Sequence, residues 1–349
     1  MDPVIITPQM ARKACAANPV VDAALAQCAA ALQSAGHVLV ATHRNPDGDA
    51  LGSAIAVLLA LQEMGKDAYG YCPGPLLTHF LDMPHIDLLH QQPPENLKEF
   101  DLTLVLDCAE LERVTEDFKP HGRVLNIDHH PTNPLFGEVN CVVPQASATG
   151  ELVFALLDEL HVQITSGMAQ ALYLAIVSDT GSFRYTNTSP QSFALASCLV
   201  QAGADPAAAA RLYWESYSPE STRLRGEALA RMELIAEGRV AWSQITAAQL
   251  AAHGGAVNEP EGLSGQLRGM RGVEAGVLFT EVEGQGVRVS FRSHGNLDVA
   301  AVARQFGGGG HRAAAGAFIK DDLEKARARV LEAIVAALHL QATSKTNAG

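Results

Sequence analysis

Short apolar runs in the first half of the chain each lead directly into acidic or histidine residues. The clearest runs read HVLVAT, LTLVL and RVLNI, at residues 37–42, 102–106 and 123–127, and a weaker one spans 66–71. Runs of this length, separated by helical spacing, predict a mostly parallel sheet flanked by helices. The carboxyl ends of parallel strands meet at one edge, where ligands bind, so the polar residues that follow are expected to converge there.

The second half of the chain has a different pattern. A largely helical stretch is followed by strand patterns at 239–245, 274–281, 287–292 and 313–319. At 349 residues the chain is also longer than one hydrophobic core usually serves. We therefore predict an α/β protein with a smaller C-terminal α/β domain. The predicted parts are a catalytic domain (1–195), a helical connector (196–237), a substrate-binding domain (238–340) and a disordered tail (341–349).

Charge and composition narrow the class of substrate. A formal net charge of −13 argues against binding long nucleic acids, which need many Lys and Arg contacts. The longest mostly apolar stretch, residues 50–61, is too short to cross a bilayer, and the start of the chain lacks a basic signal region. The six cysteines form no Cys-x-x-Cys pair and are expected to be reduced and mostly buried. These features predict a cytoplasmic protein without a membrane segment.

Residues of the metal-ligand type follow the predicted strands as three clusters, and a fourth acid ends a predicted helix. In chain order they are His43, Asp47 and Asp49, then Asp107, then Asp128, His129 and His130, and finally Asp179. Carboxylates gathered at one edge would repel one another unless cations neutralise them. Oxygen and imidazole ligands without thiolates favour manganese, magnesium or iron over structural zinc. Two ions about 3.5–4 Å apart can share a carboxylate and activate water for attack on phosphorus.

Each of these residues alone has a simpler structural explanation. Asp49 could cap the helix that begins near Ala50, and a single histidine is more often buried or exposed without any ligand role. Four acid-bearing clusters at four consecutive element ends are much harder to assign to helix caps. The pattern therefore favours a metal site.

At these residues the sequence resembles the DHH family of phosphoesterases. The matching residues are His43-x-x-x-Asp47-x-Asp49, Asp107, Asp128-His129-His130-Pro131 and Asp179-Thr180-Gly181-Ser182-Phe183. The resemblance implies one ion held by His43, Asp47 and Asp107, and another held by Asp49, Asp107, His129 and Asp179. Asp107 would bridge both ions, and His130 would face the substrate phosphate as a catalytic residue. Asp128 is assigned a supporting role, and Arg184 either braces the Asp179 loop, the favoured reading, or contacts substrate.

The C-terminal part resembles the domain that accompanies the DHH domain in this family. The resemblance rests on Phe291-Arg292-Ser293, on Asp298-Val299, and on the run from Phe306 through four glycines to His311. It implies a substrate site formed by Arg292, Ser293, Gly308, Gly309, Gly310 and His311. Glycine amides can approach a phosphate closely, and Arg and His can supply charged hydrogen bonds. A flexible glycine linker is the alternative.

Within the family, the chain is most similar to stand-alone oligoribonucleases that also dephosphorylate 3′-phosphoadenosine 5′-phosphate (pAp). This resemblance implies a manganese-dependent phosphodiesterase and phosphatase that binds two divalent ions. It would cleave short RNA oligonucleotides (nanoRNA) to mononucleotides and pAp to AMP, and the family also allows for a homodimer. One alternative is a phosphodiesterase of cyclic or linear dinucleotides such as c-di-AMP or pApA, with a role in signalling. Another is a nucleotide-sensing module without catalysis.

Overall fold

The computed structural model of the protein describes residues 19–215, 217–254 and 262–346. The chain divides into two compact units, Met1–Ser216 and Tyr217–Gly349. The division falls inside the segment predicted as a helical connector. The helices Pro190–Gln201 and Pro206–Trp214 belong to the first unit, whereas the helix and short strand that follow belong to the second.

The first unit contains a six-stranded parallel sheet. Its strands are β1 (His37–Ala41), β2 (Asp67–Tyr71), β3 (Leu89–His90), β4 (Leu102–Leu106), β5 (Arg123–Asp128) and β6 (Val139–Val142). They lie in the order β3-β2-β1-β4-β5-β6. The order reverses direction between β1 and β4, and in an open parallel sheet such a reversal opens a crevice at the carboxyl ends of the two strands. The topology therefore puts the predicted clusters at the sheet edge where such folds bind ligands.

The described part of the first unit has six helices, of which the first three contact the sheet, the fourth packs mainly on the second and third, and the last two pack on the fourth. They are α1 (Pro19–Ser34), α2 (Gly48–Glu63), α3 (Thr149–Glu159), α4 (Ser166–Asp179), α5 (Pro190–Gln201) and α6 (Pro206–Trp214). Their apolar side chains and the strand residues Val38, Val40, Leu104 and Leu106 form the main core. The opposite face of the sheet carries a smaller apolar cluster, covered by loops and short 3-10 helices. Because β4 is buried on both faces, its sequence is continuously apolar apart from Thr103.

The second unit is built on a mixed sheet of six strands. These are β7 (Glu233–Ile235), β8 (Val240–Ile245), β9 (Ala275–Val282), β10 (Gly286–Ser293), β11 (Gly309–His311) and β12 (Ala314–Ile319). The order is β11-β12-β10-β9-β8-β7, with only β8 and β9 parallel. The helices are α7 (Pro219–Ala230), α8 (Ala247–Ala252), α9 (Leu263–Arg268), α10 (Val299–Arg304) and α11 (Leu323–Thr346).

The predicted fold class is confirmed, and each strand predicted from a long apolar run is present. Four short strands, β3, β6, β7 and β11, escaped prediction because two to four residues carry too little periodicity. The fourth of these strands, β11, lies within the glycine run and pairs with β12. The final helix extends to Thr346, into the segment predicted as a tail, and residues 347–349 lie outside the described part.

The cysteines of the described residues are all buried. They are Cys28, Cys72, Cys108, Cys141 and Cys198. Cys15 lies outside the described residues. Among the described helices, none alone is long and apolar enough to span a membrane. The pair α5 and α6 meets that criterion only together, across a bend of 113°.

Candidate metal centre

The loop after β1 brings Asp47 and Asp49 to the start of α2. Asp47 caps this helix, because its Oδ1 accepts hydrogen bonds from the N–H groups of Asp49 and Ala50, at 3.0 and 3.1 Å. The alternative in which Asp49 is the cap is therefore wrong. Asp49 is fully buried, and its carboxylate accepts hydrogen bonds from Thr149 N at 2.6 Å and Gly150 N at 2.9 Å.

These two bonds give helix α3 a cap from a distant part of the chain. Its own N-cap residue, Ala148, has no side chain that could accept a hydrogen bond. Asp49 satisfies two of the free amides, and a carboxylate is also favoured at the positive end of the helix dipole. A Cβ on Gly150 would lie 2.7 Å from Ala175 Cβ, so close packing of α3 on α4 requires glycine there. The fold thus holds Asp49 in one position.

Asp107 follows β4 with a backbone φ of +53°, which is uncommon for a residue other than glycine. Its side chain is 2% exposed, and Thr149 Oγ1 donates a hydrogen bond to its Oδ1 at 3.0 Å. Strained backbone of this kind concentrates at functional sites, where the surrounding structure maintains it. The conformation turns Asp107 out of the strand direction at the carboxyl edge of the sheet.

Three groups of possible ligand atoms share Asp107, and within each group the atoms lie within 4.8 Å of one another. The two groups that contain the predicted metal ligands are His43, Asp47 and Asp107, and Asp49, Asp107 and His129, whereas the third joins Asp107 to Asp128 and His130. Asp179 adjoins the second group, since its Oδ2 lies 3.2 Å from His129 Nε2. The structure therefore brings together all six residues that the sequence analysis named as ligands.

Both histidines of these groups are oriented through Nδ1. His43 Nδ1 lies 3.0 Å from the carbonyl oxygen of Arg44, and His129 Nδ1 lies 3.1 Å from that of Ala146. A carbonyl can only accept, so Nδ1 donates, and Nε2 of His43 faces Asp107 Oδ2 at 3.5 Å. Metal-binding imidazoles commonly use one ring nitrogen in this way and present the other to the ion.

Burial and mutual repulsion shift the pKa values of the carboxylates. Burial, together with the charges of Asp107 and Asp179, raises the pKa of Asp49 well above its ordinary value. Burial also raises the pKa of Asp179 to about 6. It would do the same at Asp107, but the hydrogen bond from His43 and the neighbouring imidazoles hold the pKa of Asp107 well below its usual range. The cluster thus carries more negative charge than its surroundings tolerate.

The pKa values of the two histidines are also raised, but by their carboxylate neighbours rather than by burial. Burial disfavours the imidazolium form, yet hydrogen bonds with Asp107 and Asp179 raise the pKa values of His43 and His129, respectively. Protons on the imidazoles therefore balance part of the negative charge. Divalent cations would take the place of those protons and neutralise the carboxylates as well. The oxygen and imidazole donor set fits such ions.

Asp179 adds a second electrostatic reason for a cation. It is the last residue of α4, where the negative end of the helix dipole disfavours a carboxylate. Its side chain is also largely buried, 14% exposed. A cation beside Asp179 would offset both costs.

Asp128 and His130 form a buried pair next to this cluster. Asp128 Oδ1 lies 2.7 Å from His130 Nδ1, and Asp128 Oδ2 accepts a hydrogen bond from Asn133 Nδ2 at 2.6 Å. Asn133 Nδ2 also donates to Asn126 Oδ1 at 2.7 Å. Asn133 was not predicted from the sequence, although it follows His130 by three residues and its side-chain amide can donate to a carboxylate.

Arg184 braces the loop that follows Asp179. Its Nε donates a hydrogen bond to Gly181 O at 2.6 Å, and its guanidinium carbon lies 4.7 Å from the centre of the Trp214 ring. Asn187 Nδ2 donates to Asp179 O at 3.0 Å, which further holds this loop. The bracing role considered for Arg184 agrees with these contacts, while its exposed end leaves substrate contact open.

In the second unit, Arg292 and His311 stand on the same face of the sheet. Arg292 on β10 and His311 on β11 both pair with Ala314 of the intervening strand β12. Residues directly opposite in antiparallel strands place their side chains on one face, so this face carries both. Ser293 is different, because it is buried and its hydroxyl donates to Leu297 O at 2.7 Å.

The glycine run is partly explained by packing. A Cβ on Gly308 would overlap the carbonyl oxygen of Gly316, and Gly310 has φ +133° with a would-be Cβ 2.5 Å from Ala314 O. Gly309 has open space at that position. Two of the three predicted glycines are therefore required by the approach of β12, whereas a Cβ at Gly309 would meet no atom within 4 Å.

Two protein-family models match parts of the chain. The DHH family, N-terminal domain, matches residues 37–176, and the DHHA1 domain matches residues 243–339. The chain is 36% identical over 86% of its length to the bifunctional oligoribonuclease and PAP phosphatase NrnA of Thermus thermophilus, covering 89% of that protein. The chain belongs to the DHH family. The NrnA protein of Bacillus subtilis is 29% identical over 81% of the chain and 89% of its own length.

A solved structure has the same fold over most of the chain. An exopolyphosphatase-related protein from Bacteroides fragilis superposes with a TM-score of 0.85 at 24% identity, covering 92% of this chain and 98% of that one. The DHH motif itself is Asp128-His129-His130, at the end of β5. In this family member, His129 joins the shared-ligand cluster, while Asp128 and His130 form the adjacent pair.

Proposed function

We propose that this DHH-family chain is a two-metal phosphoesterase that hydrolyses short oligoribonucleotides to mononucleotides and pAp to AMP. The observation that carries the proposal is that Asp107 belongs to both groups of predicted ligand atoms. A shared carboxylate allows two ions at the short separation that phosphoester hydrolysis uses. The Thermus and Bacillus relatives carry both activities in their names and match over most of their length.

The ligand assignment is also a proposal. One ion would be held by His43, Asp47 and Asp107, and the other by Asp49, Asp107, His129 and Asp179. Manganese is proposed because it accepts carboxylate and imidazole ligands in the absence of thiolates. When bound, the ions would neutralise phosphate charge and act as Lewis acids in the hydrolysis.

The residues around the ligands have separate tasks in this proposal. His130 would donate a proton to the leaving oxygen, and Asp128 would orient its ring through Nδ1. Arg292 and His311, with Gly309 and its neighbours, would bind the rest of the substrate by charged and backbone hydrogen bonds. A few such donors suit a small anion, which explains how a chain of net charge −13 would bind nucleotides without a long basic track.

Turnover on a panel of substrates tests the proposal. The panel contains pAp, di- to pentaribonucleotides, a 24-nucleotide RNA and cyclic dinucleotides, each with manganese present. We expect hydrolysis of pAp and the short linear RNAs, with slower hydrolysis of the long RNA. Exclusive turnover of cyclic dinucleotides would instead indicate a signalling phosphodiesterase.

Chelation tests the metal requirement separately. Exhaustive treatment with chelator should abolish turnover, and added manganese should restore it. Full activity in metal-free protein would contradict the two-metal assignment. We also propose, from the family resemblance, a cytoplasmic homodimer, which sedimentation equilibrium and cell fractionation would test.

A further inference from the structure

An exposed stack of arginine on tryptophan lies beside the metal centre. Trp214, the last residue of α6, is 42% exposed, and the guanidinium carbon of Arg184 lies 4.7 Å from the centre of its ring. The indole Nε1 donates a hydrogen bond to Ser182 Oγ at 3.1 Å, while Arg184 Nε donates to Gly181 O. Both members of the stack are therefore held in place by the loop that follows Asp179.

That loop has an unusual backbone. Gly181, Ser182 and Phe183 have φ values of +55°, +58° and +62°, so two residues with a Cβ adopt the left-handed conformation in succession. Such conformations cost free energy and persist where the surrounding structure requires them, often at functional sites. Here the conformation places the Ser182 hydroxyl against Trp214 only three residues beyond the proposed ligand Asp179.

Tyr213, the residue before Trp214, packs against the segment that carries Asp47 and Asp49. A Cβ on Gly48 would overlap the hydroxyl of Tyr213, so this ring packs directly against the glycine between Asp47 and Asp49. Tyr213 and Trp214 are consecutive, and one contacts the loop after β1 while the other contacts the loop after α4. The stack is thereby fixed close to loops that carry proposed ligands of both ions.

Arg184 forms no ion pair with a carboxylate among the described residues, although the chain carries 38 acidic residues and Asp179 lies five residues before it. Its charge contacts the Trp214 ring instead. A bracing arginine would need only the bond to Gly181 O. An exposed guanidinium with one face on an indole can offer its other face to a planar ring.

We propose that Arg184 and Trp214 form a stacking site for a nucleobase of the substrate. This inference rests on the proposed function, because it places a base next to the phosphate at the metal centre. Bases stack on arginine planes and on aromatic side chains, and they do so largely without regard to base identity. The site would favour nucleotides over simple phosphate esters, and it would accept all four bases.

Paired substrates test the site by activity. One is pAp, and the other is the same sugar bisphosphate without its base. Trp214→Leu removes the aromatic face and should lower kcat/KM for pAp roughly tenfold, with less than a twofold effect on the base-free compound. Trp214→Phe should recover most of the loss. Equal losses on both substrates, or no loss on pAp, would overturn the proposal.

Fluorescence tests binding without turnover. The chain has two tryptophans, and Trp242 lies 6% exposed in the second unit, so Trp242→Phe leaves Trp214 as the only reporter. AMP should quench this emission with saturation, whereas ribose 5-phosphate should not. If Trp242→Phe does not fold, the difference between wild-type and Trp214→Phe titrations gives the same quantity. Quenching by both ligands, or by neither, contradicts base stacking.

The two experiments separate the inference from the proposed function. AMP-specific quenching without any phosphoester turnover would keep the stacking site and overturn the proposed activity. Turnover of pAp with no dependence on the base, and without quenching, would do the reverse. Arg184→Gln, which retains a donor for Gly181 O but lacks the planar charge, should lower kcat/KM for pAp selectively as Trp214→Leu does, and it should weaken the quenching of Trp214 by AMP.

Discussion

Asp128 Oδ1 lies 2.7 Å from His130 Nδ1, and both side chains are buried. The carboxylate fixes Nδ1 as the donor, so the other ring nitrogen of His130 is the one available to a substrate. Asn133 holds the second oxygen of Asp128 at 2.6 Å. Three residues of one loop thus determine how a single imidazole is presented.

Asp128→Asn should lower kcat about ten- to hundredfold, as loss of an orienting partner commonly does. The amide can turn its NH2 group toward Nδ1 or toward Asn133, and either orientation breaks a hydrogen bond. KM and metal content should change little, while the pH dependence of kcat should shift. Steady-state kinetics across pH and metal analysis together measure these effects.

Asn133→Ala should give a smaller loss of kcat in the same direction, because Asp128 keeps its bond to His130. Asn140→Ala is the matched control: Asn140 Nδ2 donates to Gly137 O at 2.6 Å, in the loop before β6, and has no contact with Asp128 among the described residues. Equal kinetics for the two variants would show that Asn133 has no positioning role.

Much of the site was predictable because strand ends are readable from sequence. The run LTLVL is apolar enough to locate β4, and Asp107 is the first polar residue after it. The contacts that fix the ligands were not predictable, since Asp49 and Thr149 meet only through tertiary packing. Trp214 likewise carries no periodic signal that would connect it with Ser182.

Asp107→Ala should abolish turnover and lower the number of bound ions, because Asp107 is common to both groups of predicted ligand atoms. Asp101→Ala is the control, since Asp101 lies at the other end of β4 and accepts a hydrogen bond from Gly36 N at 2.8 Å. Metal analysis by mass spectrometry and turnover of pAp should be measured on the same samples. Two ions per chain with near-normal activity in Asp107→Ala would contradict the bridging role.

His79 should make the first unit sensitive to acid. Its ring lies 4.2 Å from that of Phe80 and 5.8 Å from that of Tyr213, and burial lowers its pKa to about 4. The unfolded chain takes up this proton near pH 6.5. The contribution of neutral His79 to stability is therefore present above pH 6.5 and is lost as the pH falls toward 4.

His79→Phe should reduce the loss of stability between pH 6.5 and 4 by up to about 3 kcal/mol. Urea unfolding in chelator, at several pH values, measures the difference between variant and wild type. His90→Phe is the control, because His90 also stacks on an aromatic ring, Tyr69, but is exposed. If all three proteins lose stability in parallel, His79 does not titrate as a buried group.

Arg292 and His311 should bind substrate without affecting metal content, because they lie in the second unit, on β10 and β11. A charged hydrogen bond to phosphate contributes about 1.5–3 kcal/mol, so Arg292→Ala should lower kcat/KM for pAp and dinucleotides roughly ten- to hundredfold. Hydrolysis of a p-nitrophenyl phosphodiester, which lacks a second nucleotide, should fall much less. His311→Ala should show the same selectivity.

Arg288→Ala provides the control for this prediction. Arg288 lies on the same strand as Arg292 and four residues away, so the two side chains share a face of the sheet. A general loss of positive charge would affect both variants alike, whereas a specific anchor would affect only Arg292→Ala. If neither Arg292→Ala nor His311→Ala changes kcat/KM for nucleotides, the second unit does not anchor substrate through this face. The glycine run would then be explained by the packing of Gly308 and Gly310 against β12 alone.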